Sequence, residues 1–152
     1  MSAGVRSIET GLHEIFAGAR RRIVASVYSI GEAAFDLPET WIADALSRGV
    51  DVVLVVNRWD TQRRVATVPL ERMARADPRL KVWSWDGPDH HDMHAKVVVV
   101  DDRHALIGSA NLSGNGLLHN HELAVMVEGE AAAAASRLVV SLTGSTWAHR
   151  RP

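Results

Sequence analysis

The spacing of apolar residues changes along the chain, and the spacing predicts the type of element. Between residues 5 and 21 it is helical, with apolar side chains at Val5, Ile8, Leu12, Ile15, Phe16 and Ala19. This pattern predicts an amphipathic first helix that ends in the triplet Arg20-Arg21-Arg22. Continuous runs rich in β-branched residues predict strands at 23–30, 50–56 and 80–85.

Three more segments favour helices. The first runs from Pro38 to Arg48 before Gly49, the second from about Leu70 to Ala76 before Asp77-Pro78, and the third spans residues 130–143 with a run of alanines. Strands that alternate with helices and then follow one another predict an α/β fold, a mixed β-sheet sandwiched between helices. At 152 residues we expect a single domain covering 1–152.

The centre of the pattern is a predicted hairpin. The run from His94 to Val100 contains four consecutive valines, and Asp101-Asp102-Arg103 form a turn before a second apolar run that ends at Gly108. Alternation along a strand places His94 and Lys96 on one face. It does the same for Ser109 and Asn111, so the two polar pairs lie side by side if the strands pair. Asp101 has the opposite parity and is interpreted first as a turn-stabilising residue.

These four polar side chains predict an anion site. A buried strand face with such groups is costly unless something hydrogen-bonds to them. Lysine supplies a fixed positive charge, serine and asparagine supply neutral donors, and histidine can donate, accept or attack. The set therefore fits a phosphate.

The spacing His94-x-Lys96-x4-Asp101-x6-Gly108-Ser109-x-Asn111 resembles the HKD signature of the phospholipase D superfamily. Downstream, Asn120-His121-Glu122 resembles the family's Asn-x-Glu, on a predicted last strand over 121–127 that puts Asn120 and Glu122 on one face. The order of elements also resembles one phospholipase D-type domain from end to end.

The resemblance implies a metal-independent phosphodiesterase without a cofactor. It further implies that His94 attacks phosphorus to form a phosphohistidine, that Lys96 and Asn111 hold the non-bridging oxygens with support from Ser109, and that Glu122 orients the imidazole. Family members need two motifs at one active site and this chain has one, so the resemblance implies a homodimer with the His94 pair at its axis. Short members of this family with a single motif look like nucleases. The resemblance therefore leads us to expect an endonuclease that acts on DNA or RNA.

Composition restricts the substrate contacts to local patches. The chain has 17 basic and 18 acidic residues, which does not indicate a general polyanion binder. Local arginine patches are Arg20-Arg21-Arg22, Arg58 with Arg63-Arg64, and Arg72 with Arg75. Arg58 and Trp59 are candidates for the cleft rim, Trp85 is a candidate for stacking on bases, and Tyr28 and Ser29 are candidates for lining the cleft.

The absence of cysteine excludes disulfides and thiolate zinc sites, and no segment resembles an export signal or a membrane span. We therefore expect a cytoplasmic protein with no membrane insertion.

Three alternatives stay open from the sequence. The cluster His90-His91-Asp92 with His94 could hold a divalent metal. The substrate could be a phospholipid, as in a lipid phosphodiesterase or phosphatidyltransferase. The chain could also be a phosphate-binding subunit of a larger nucleic-acid defence assembly.

Overall fold

In the computed structural model, residues 7–31, 36–89, 91–119 and 121–152 are described, and a seven-stranded sheet organises them. The strands are β1 Arg22–Val27, β2 Asp51–Asn57, β3 Leu80–Trp85, β4 Lys96–Val100, β5 His104–Gly108, β6 Ala124–Glu128 and β7 Ala148–Arg151. The helices are α1 Ile8–Gly18, α2 Asp36–Ser47, α3 Arg64–Ala76 and α4 Glu130–Leu142. A short 3-10 helix, Trp59–Thr61, and a π-helical turn, Asn115–His119, lie in the connections.

The sheet is mixed, as the sequence predicts. The strand order is β6-β5-β4-β1-β2-β3-β7. Strands β1, β2 and β3 run parallel, and every other neighbouring pair is antiparallel. The carboxyl ends of β1, β2, β3 and β5 therefore lie at the same edge as the first residues of β4, β6 and β7. Such an edge of an α/β sheet is the usual place for a ligand site.

Apolar layers cover both faces of the sheet, which confirms the predicted sandwich. On one face, Leu12 and Phe16 of α1, Ile42 of α2 and Leu70 of α3 pack against the sheet. On the other face, Ala132 and Val139 of α4 pack against valines of β1 and β4. No helix in the described ranges is long and apolar enough to cross a membrane.

The first helix is shorter than predicted at its carboxyl end. It ends at Gly18, and the arginine triplet lies beyond it. The carboxylate of Asp101 accepts hydrogen bonds from the backbone N–H groups of Arg20, Arg21 and Arg22 at 2.7–3.0 Å. These bonds hold the triplet in an extended path that leads into β1, so the helix cannot continue. Val5 lies outside the described residues.

The third helix begins six residues before the predicted Leu70, and Pro69 lies inside it. A proline removes one intrahelical hydrogen bond and usually ends a helix. Here Ala66 and Leu70, on either side of Pro69, are fully buried, and their packing against the sheet compensates for the lost bond.

The last part of the chain differs most from the prediction. The strand predicted over 121–127 begins at Ala124, and β7 follows α4 as an additional edge strand beside β3. The sequence of β7, Ala-His-Arg-Arg, lacks the apolar alternation that marks a strand. Glu122 consequently precedes β6, so strand parity does not determine its direction.

Candidate active site

The predicted site residues gather at one edge of the sheet. Lys96 is the first residue of β4 and pairs with Gly108, the last residue of β5. His94 lies two residues before β4, and Ser109 and Asn111 follow β5. Tyr28 follows β1 at the same edge. The site is therefore formed by chain segments that enter or leave the sheet where β1, β4 and β5 are neighbours.

Lys96 and His94 are in direct contact. The Lys96 Nζ lies 3.0 Å from Nδ1 of His94 and donates a hydrogen bond to the His94 carbonyl oxygen at 2.9 Å. An ammonium has only donors, so the neighbouring ring nitrogen accepts. The lysine side chain is only 8% exposed, and this burial lowers its pKa, while the charge of Glu122 acts in the opposite direction. Lys96 is thus a partly desolvated cation beside an exposed imidazole.

Tyr28 packs against the imidazole. Its ring centroid lies 4.4 Å from that of His94, at an interplanar angle of 50°. The Lys96 ammonium is 5.5 Å from the same tyrosine ring, within the range of a cation–π interaction. Tyr28 therefore contacts both members of the pair and restricts the rotation of His94.

The amide of Asn111 is oriented by the backbone. Its Oδ1 accepts a hydrogen bond from the Ser29 N–H at 3.1 Å, which leaves the NH₂ group as its donor toward a substrate. A Cβ at Gly116 would lie 2.7 Å from the Asn111 carbonyl oxygen, so a side chain there would displace Asn111. The signal for this role in the sequence is the glycine itself.

Ser109 connects β5 to the segment before β6. Its hydroxyl donates a short hydrogen bond to the carboxylate of Glu122 and accepts one from the Leu123 N–H at 3.1 Å. A Cβ at Gly108 would collide with the Leu123 carbonyl oxygen, so only glycine allows this close approach. Ser109 and Gly108 thereby place Glu122 near Lys96. Asn120 lies outside the described residues.

A hydrogen-bonded cluster holds the chain just before His94, and it includes Asn57, a residue that the sequence analysis did not single out. The Oδ1 of Asn57 accepts from the Met93 N–H at 2.9 Å, and its Nδ2 donates to Asp92 at 3.2 Å. Arg58 Nε donates to the same Asp92 oxygen at 2.7 Å. The hydrogen bond from Arg58, and then that from Asn57, lowers the pKa of Asp92. The only signal in the sequence was the position of Asn57 at the end of a buried parallel strand.

Two aromatic candidates lie differently from the prediction. Trp59 is only 3% exposed, its Nε1 donates to Glu71 at 3.1 Å, and its backbone N–H donates to the Ser84 hydroxyl. It is a core residue and does not form the cleft rim. Trp85 is half-buried and packs edge-to-face against Trp147, with ring centroids 5.6 Å apart, so little of its face is open to stacking.

The structural residue Asp101 lies at the opposite edge of the sheet from His94. Its carboxylate accepts the three backbone bonds from the arginine triplet described above. Asp101 has a φ of 54°, which its short polar side chain tolerates. The structure places it as a residue that joins the β4–β5 turn to the start of β1.

The cluster considered for a metal is otherwise engaged where it is described. Asp92 is bound to the guanidinium of Arg58, and Nδ1 of His91 contacts the Asp89 carbonyl oxygen at 3.1 Å. His90 lies outside the described residues. Among the residues that the structure describes, no three potential ligands gather around one point.

Comparisons with known proteins match the chain to a family and to solved structures. Residues 12–139 match the family model described as "Cardiolipin synthase, PLD-like domain". The chain is 31% identical over 121 residues to the DISARM protein DrmC of Bacillus paralicheniformis, which covers 78% of this chain and 49% of that protein. The chain thus spans about half the length of this curated relative.

Two solved structures share the fold. The phospholipase D family member Nuc from Salmonella typhimurium superposes with a TM-score of 0.78 at 18% identity, covering 93% of this chain and 88% of Nuc. The phosphatidylserine synthase of Haemophilus influenzae superposes with a TM-score of 0.73 at 16% identity, covering 99% of this chain but 38% of the synthase.

Proposed function

The chain belongs to the phospholipase D superfamily, and from that premise we propose that it is a metal-independent phosphodiesterase, most specifically an endonuclease that cleaves DNA or RNA through a covalent phosphohistidine. The observation that carries the proposal is the contact between Lys96 and His94 at the edge of the sheet. A nucleophile and a fixed cation in contact are the two groups that attack on a phosphodiester requires.

The reaction begins when a substrate phosphate enters beside Lys96. A non-bridging oxygen replaces the imidazole as the acceptor of the Lys96 hydrogen bond, and the lone pair of the ring nitrogen is released. That nitrogen bonds to phosphorus while the bond to the leaving oxygen breaks. Lys96 and the NH₂ group of Asn111 stabilise the charge on the non-bridging oxygens.

A second imidazole completes the proton transfers. The leaving oxygen takes its proton from His94 of the partner subunit, and the same imidazole then removes a proton from the water that attacks the phosphohistidine. The phosphorus–nitrogen bond breaks and His94 is restored. Glu122 stabilises the positive charge on the histidines, a role supported by its position beside Ser109 and Lys96.

The dimer is supported by the surface beside the site. Leu123 is 77% exposed directly after Glu122, and Leu118 and Val125 are also exposed. Strand β6, which follows, is an edge strand of the sheet. An exposed apolar edge strand is suited to pairing with a second copy of the chain, and here it lies beside the single set of site residues that one chain contributes.

Nucleic acid is proposed over lipid because of the arginines beside the site. Arg58 and Arg63 line a cleft that adjoins Tyr28, at the same edge of the sheet as His94, and such basic groups suit a strand with successive phosphates. The similarity to a DISARM protein supports a further possibility, in which the nuclease works as a subunit of a larger assembly.

Turnover of labelled single- and double-stranded DNA and RNA in excess EDTA tests the proposal. We expect cleavage that persists in EDTA, disappears in His94→Ala and remains in His104→Ala. His104 is a matched control because it is exposed at the opposite end of β5. Activity that requires an added divalent ion would refute the metal-independent route, and activity that survives in His94→Ala would refute the role of this residue.

A further inference from the structure

A cleft of about 370 Å³ opens directly beside the candidate active site. Pockets that bind small molecules have volumes of about 300–1,000 Å³. Tyr28 and Ser29 form one wall, and these two residues contact His94 and Asn111. The other walls come from Asn57 and Arg58 after β2 and from the segment 61–63 before α3. The cleft therefore adjoins the candidate active site through Tyr28 and Ser29.

The cleft is structurally fixed by Gln62. The side-chain amide of Gln62 accepts from the Ile30 N–H at 2.9 Å and donates to the carbonyl oxygens of Asn57 and Tyr28 at 2.7 and 3.2 Å. These bonds join the segments after β1 and β2. The two walls of the cleft are therefore connected by hydrogen bonds within the protein.

The side chains that line the cleft include two positive charges and one negative charge. Arg58 and Arg63 line it together with a single carboxylate, Asp92. Asp92 engages Nε of Arg58, and Nη2 of Arg58 makes only long contacts of 3.4 Å to backbone carbonyls. The nearby Asp86 and Asp89 also act on Arg58. Arg63 is exposed and forms no ion pair within the described part of the chain, so it is the cation available to an incoming anion.

We propose that this cleft binds a second phosphate of the substrate, next to the scissile one, and that Arg63 is its principal contact. The inference rests on the proposed phosphodiesterase function and specifies its substrate class as a polymer with successive phosphodiesters. A simple phospholipid diester has one phosphate and leaves this cleft without an anion, whereas each phosphate in a nucleic acid strand has neighbours. A planar guanidinium suits a phosphate because it can donate two parallel hydrogen bonds.

Oligothymidylates of increasing length test the proposal. TpT contains only the scissile phosphate, and TpTpT adds a second one. We expect kcat/KM to rise at least about tenfold from TpT to TpTpT in the wild type, since a charge-assisted hydrogen bond contributes about 1.5–3 kcal/mol. Arg63→Gln should lose this rise and leave hydrolysis of TpT and of bis(4-nitrophenyl) phosphate unchanged. Arg64→Gln is the matched control, because Arg64 is exposed and does not line the cleft, and it should keep the rise.

A binding measurement separates this inference from the catalytic one. With His94→Ala as the background, anisotropy of fluorescent oligothymidylate at several salt concentrations reports phosphate contacts without turnover. Adding Arg63→Gln should reduce the slope of log K against log salt by about 0.7, and adding Arg64→Gln should not change it. If the wild-type protein shows no turnover but Arg63→Gln still reduces the salt slope of binding, only the catalytic proposal is refuted.

Three outcomes would overturn the second-phosphate site. One is an equal effect of Arg63→Gln and Arg64→Gln on binding. Another is a wild-type rate that does not increase from TpT to TpTpT. The third is hydrolysis of phosphatidylglycerol vesicles with the same dependence on Arg63, which would assign the cleft to a lipid headgroup.

Discussion

The ammonium of Lys96 donates hydrogen bonds to the ring and to the carbonyl oxygen of His94, which lies two residues earlier in the chain. His94 precedes the sheet, since β4 begins at Lys96. Lys96 is therefore anchored by β4 and buried, while His94 remains exposed on the preceding segment. The arrangement places a fixed cation beside an exposed imidazole, which is the proposed nucleophile.

Lys96→Met should separate activity from stability. Burial lowers the pKa of Lys96, so the folded state disfavours its charged form. Burying the charged ammonium lowers the free energy of unfolding, and this loss is fully present below the folded-state pKa of Lys96. It becomes smaller as the pH rises from the folded-state pKa toward the pKa in the unfolded chain. We expect kcat to fall about 10²–10³-fold, while Tm at pH 7 is unchanged or higher than in the wild type. The advantage in Tm should shrink at alkaline pH.

Lys81→Met is the control for this experiment, because Lys81 is the other lysine of the chain and is exposed on β3. Its kcat should match the wild type. A large drop in Tm for Lys96→Met would contradict the prediction that the buried charge of Lys96 destabilises the folded state.

Asp101→Ala should have the opposite effect, a loss of stability with the chemistry intact. Burial alone would raise the pKa of Asp101, but the backbone hydrogen bonds from Arg22, Arg21 and Arg20 outweigh it and hold the pKa below its usual range. At about 1 kcal/mol per bond, the three bonds contribute about 3 kcal/mol. Urea unfolding should show a loss of about this size, and kcat of the folded fraction should be unchanged.

The contribution of Asp101 should also depend on pH. Its folded-state pKa is lowered, so the stabilisation is present above the unfolded pKa and is lost as the pH falls through the folded one. The difference in unfolding free energy between wild type and Asp101→Ala should therefore shrink in acid. A difference that is constant down to pH 2, or a specific loss of kcat, would contradict the structural role.

Asn57→Ala tests whether the segment before His94 is held from β2. The substitution leaves the buried Met93 N–H without its acceptor and should cost about 1–3 kcal/mol in urea unfolding. A displacement of His94 by about 1 Å can reduce the rate about 10²-fold, so kcat should fall with KM little changed.

Asn57→Asp is the informative partner variant. The new carboxylate can still accept the hydrogen bond from the Met93 N–H, but it lies beside the Asp92 carboxylate and is repelled by it. We therefore expect lower stability and lower kcat at neutral pH, and a partial recovery of both at low pH, where one carboxyl is protonated. Equal kcat in the wild type and Asn57→Ala would show that Asn57 does not position His94.

Leu123→Lys should disrupt the proposed dimer. A lysine on an exposed strand edge opposes pairing with another copy. We expect light scattering to show a monomer with a wild-type circular dichroism spectrum and no turnover. Leu138→Lys, on the exposed face of α4 away from the site, should leave both the dimer and turnover unchanged. A fully active monomer would refute the shared active site.

The sequence predicted the mixed sheet and the segments that form the site, because those depend on local patterns. The valine run and the Asp101 turn lie in one hairpin, and His94 and Asn111 lie two and three residues outside its paired strands. The hydrogen bond from Asn57 to Asp92 was not predictable from a local pattern. The two residues are 35 positions apart and come into contact only when β2 has joined the sheet. The burial of Trp59 likewise depends on Ser84 and Glu71, which belong to other elements.

The proposed mechanism requires that His94 becomes bonded to phosphorus. Rapid mixing of the protein with an internally labelled oligonucleotide in EDTA, followed by quenching in alkaline denaturant, preserves a phosphorus–nitrogen bond, which acid would hydrolyse. We predict a labelled protein adduct that forms and decays at rates matching turnover, that acid releases, and that peptide mapping by mass spectrometry assigns to His94. Turnover at the full rate with no adduct, or an adduct on another residue, would contradict this mechanism.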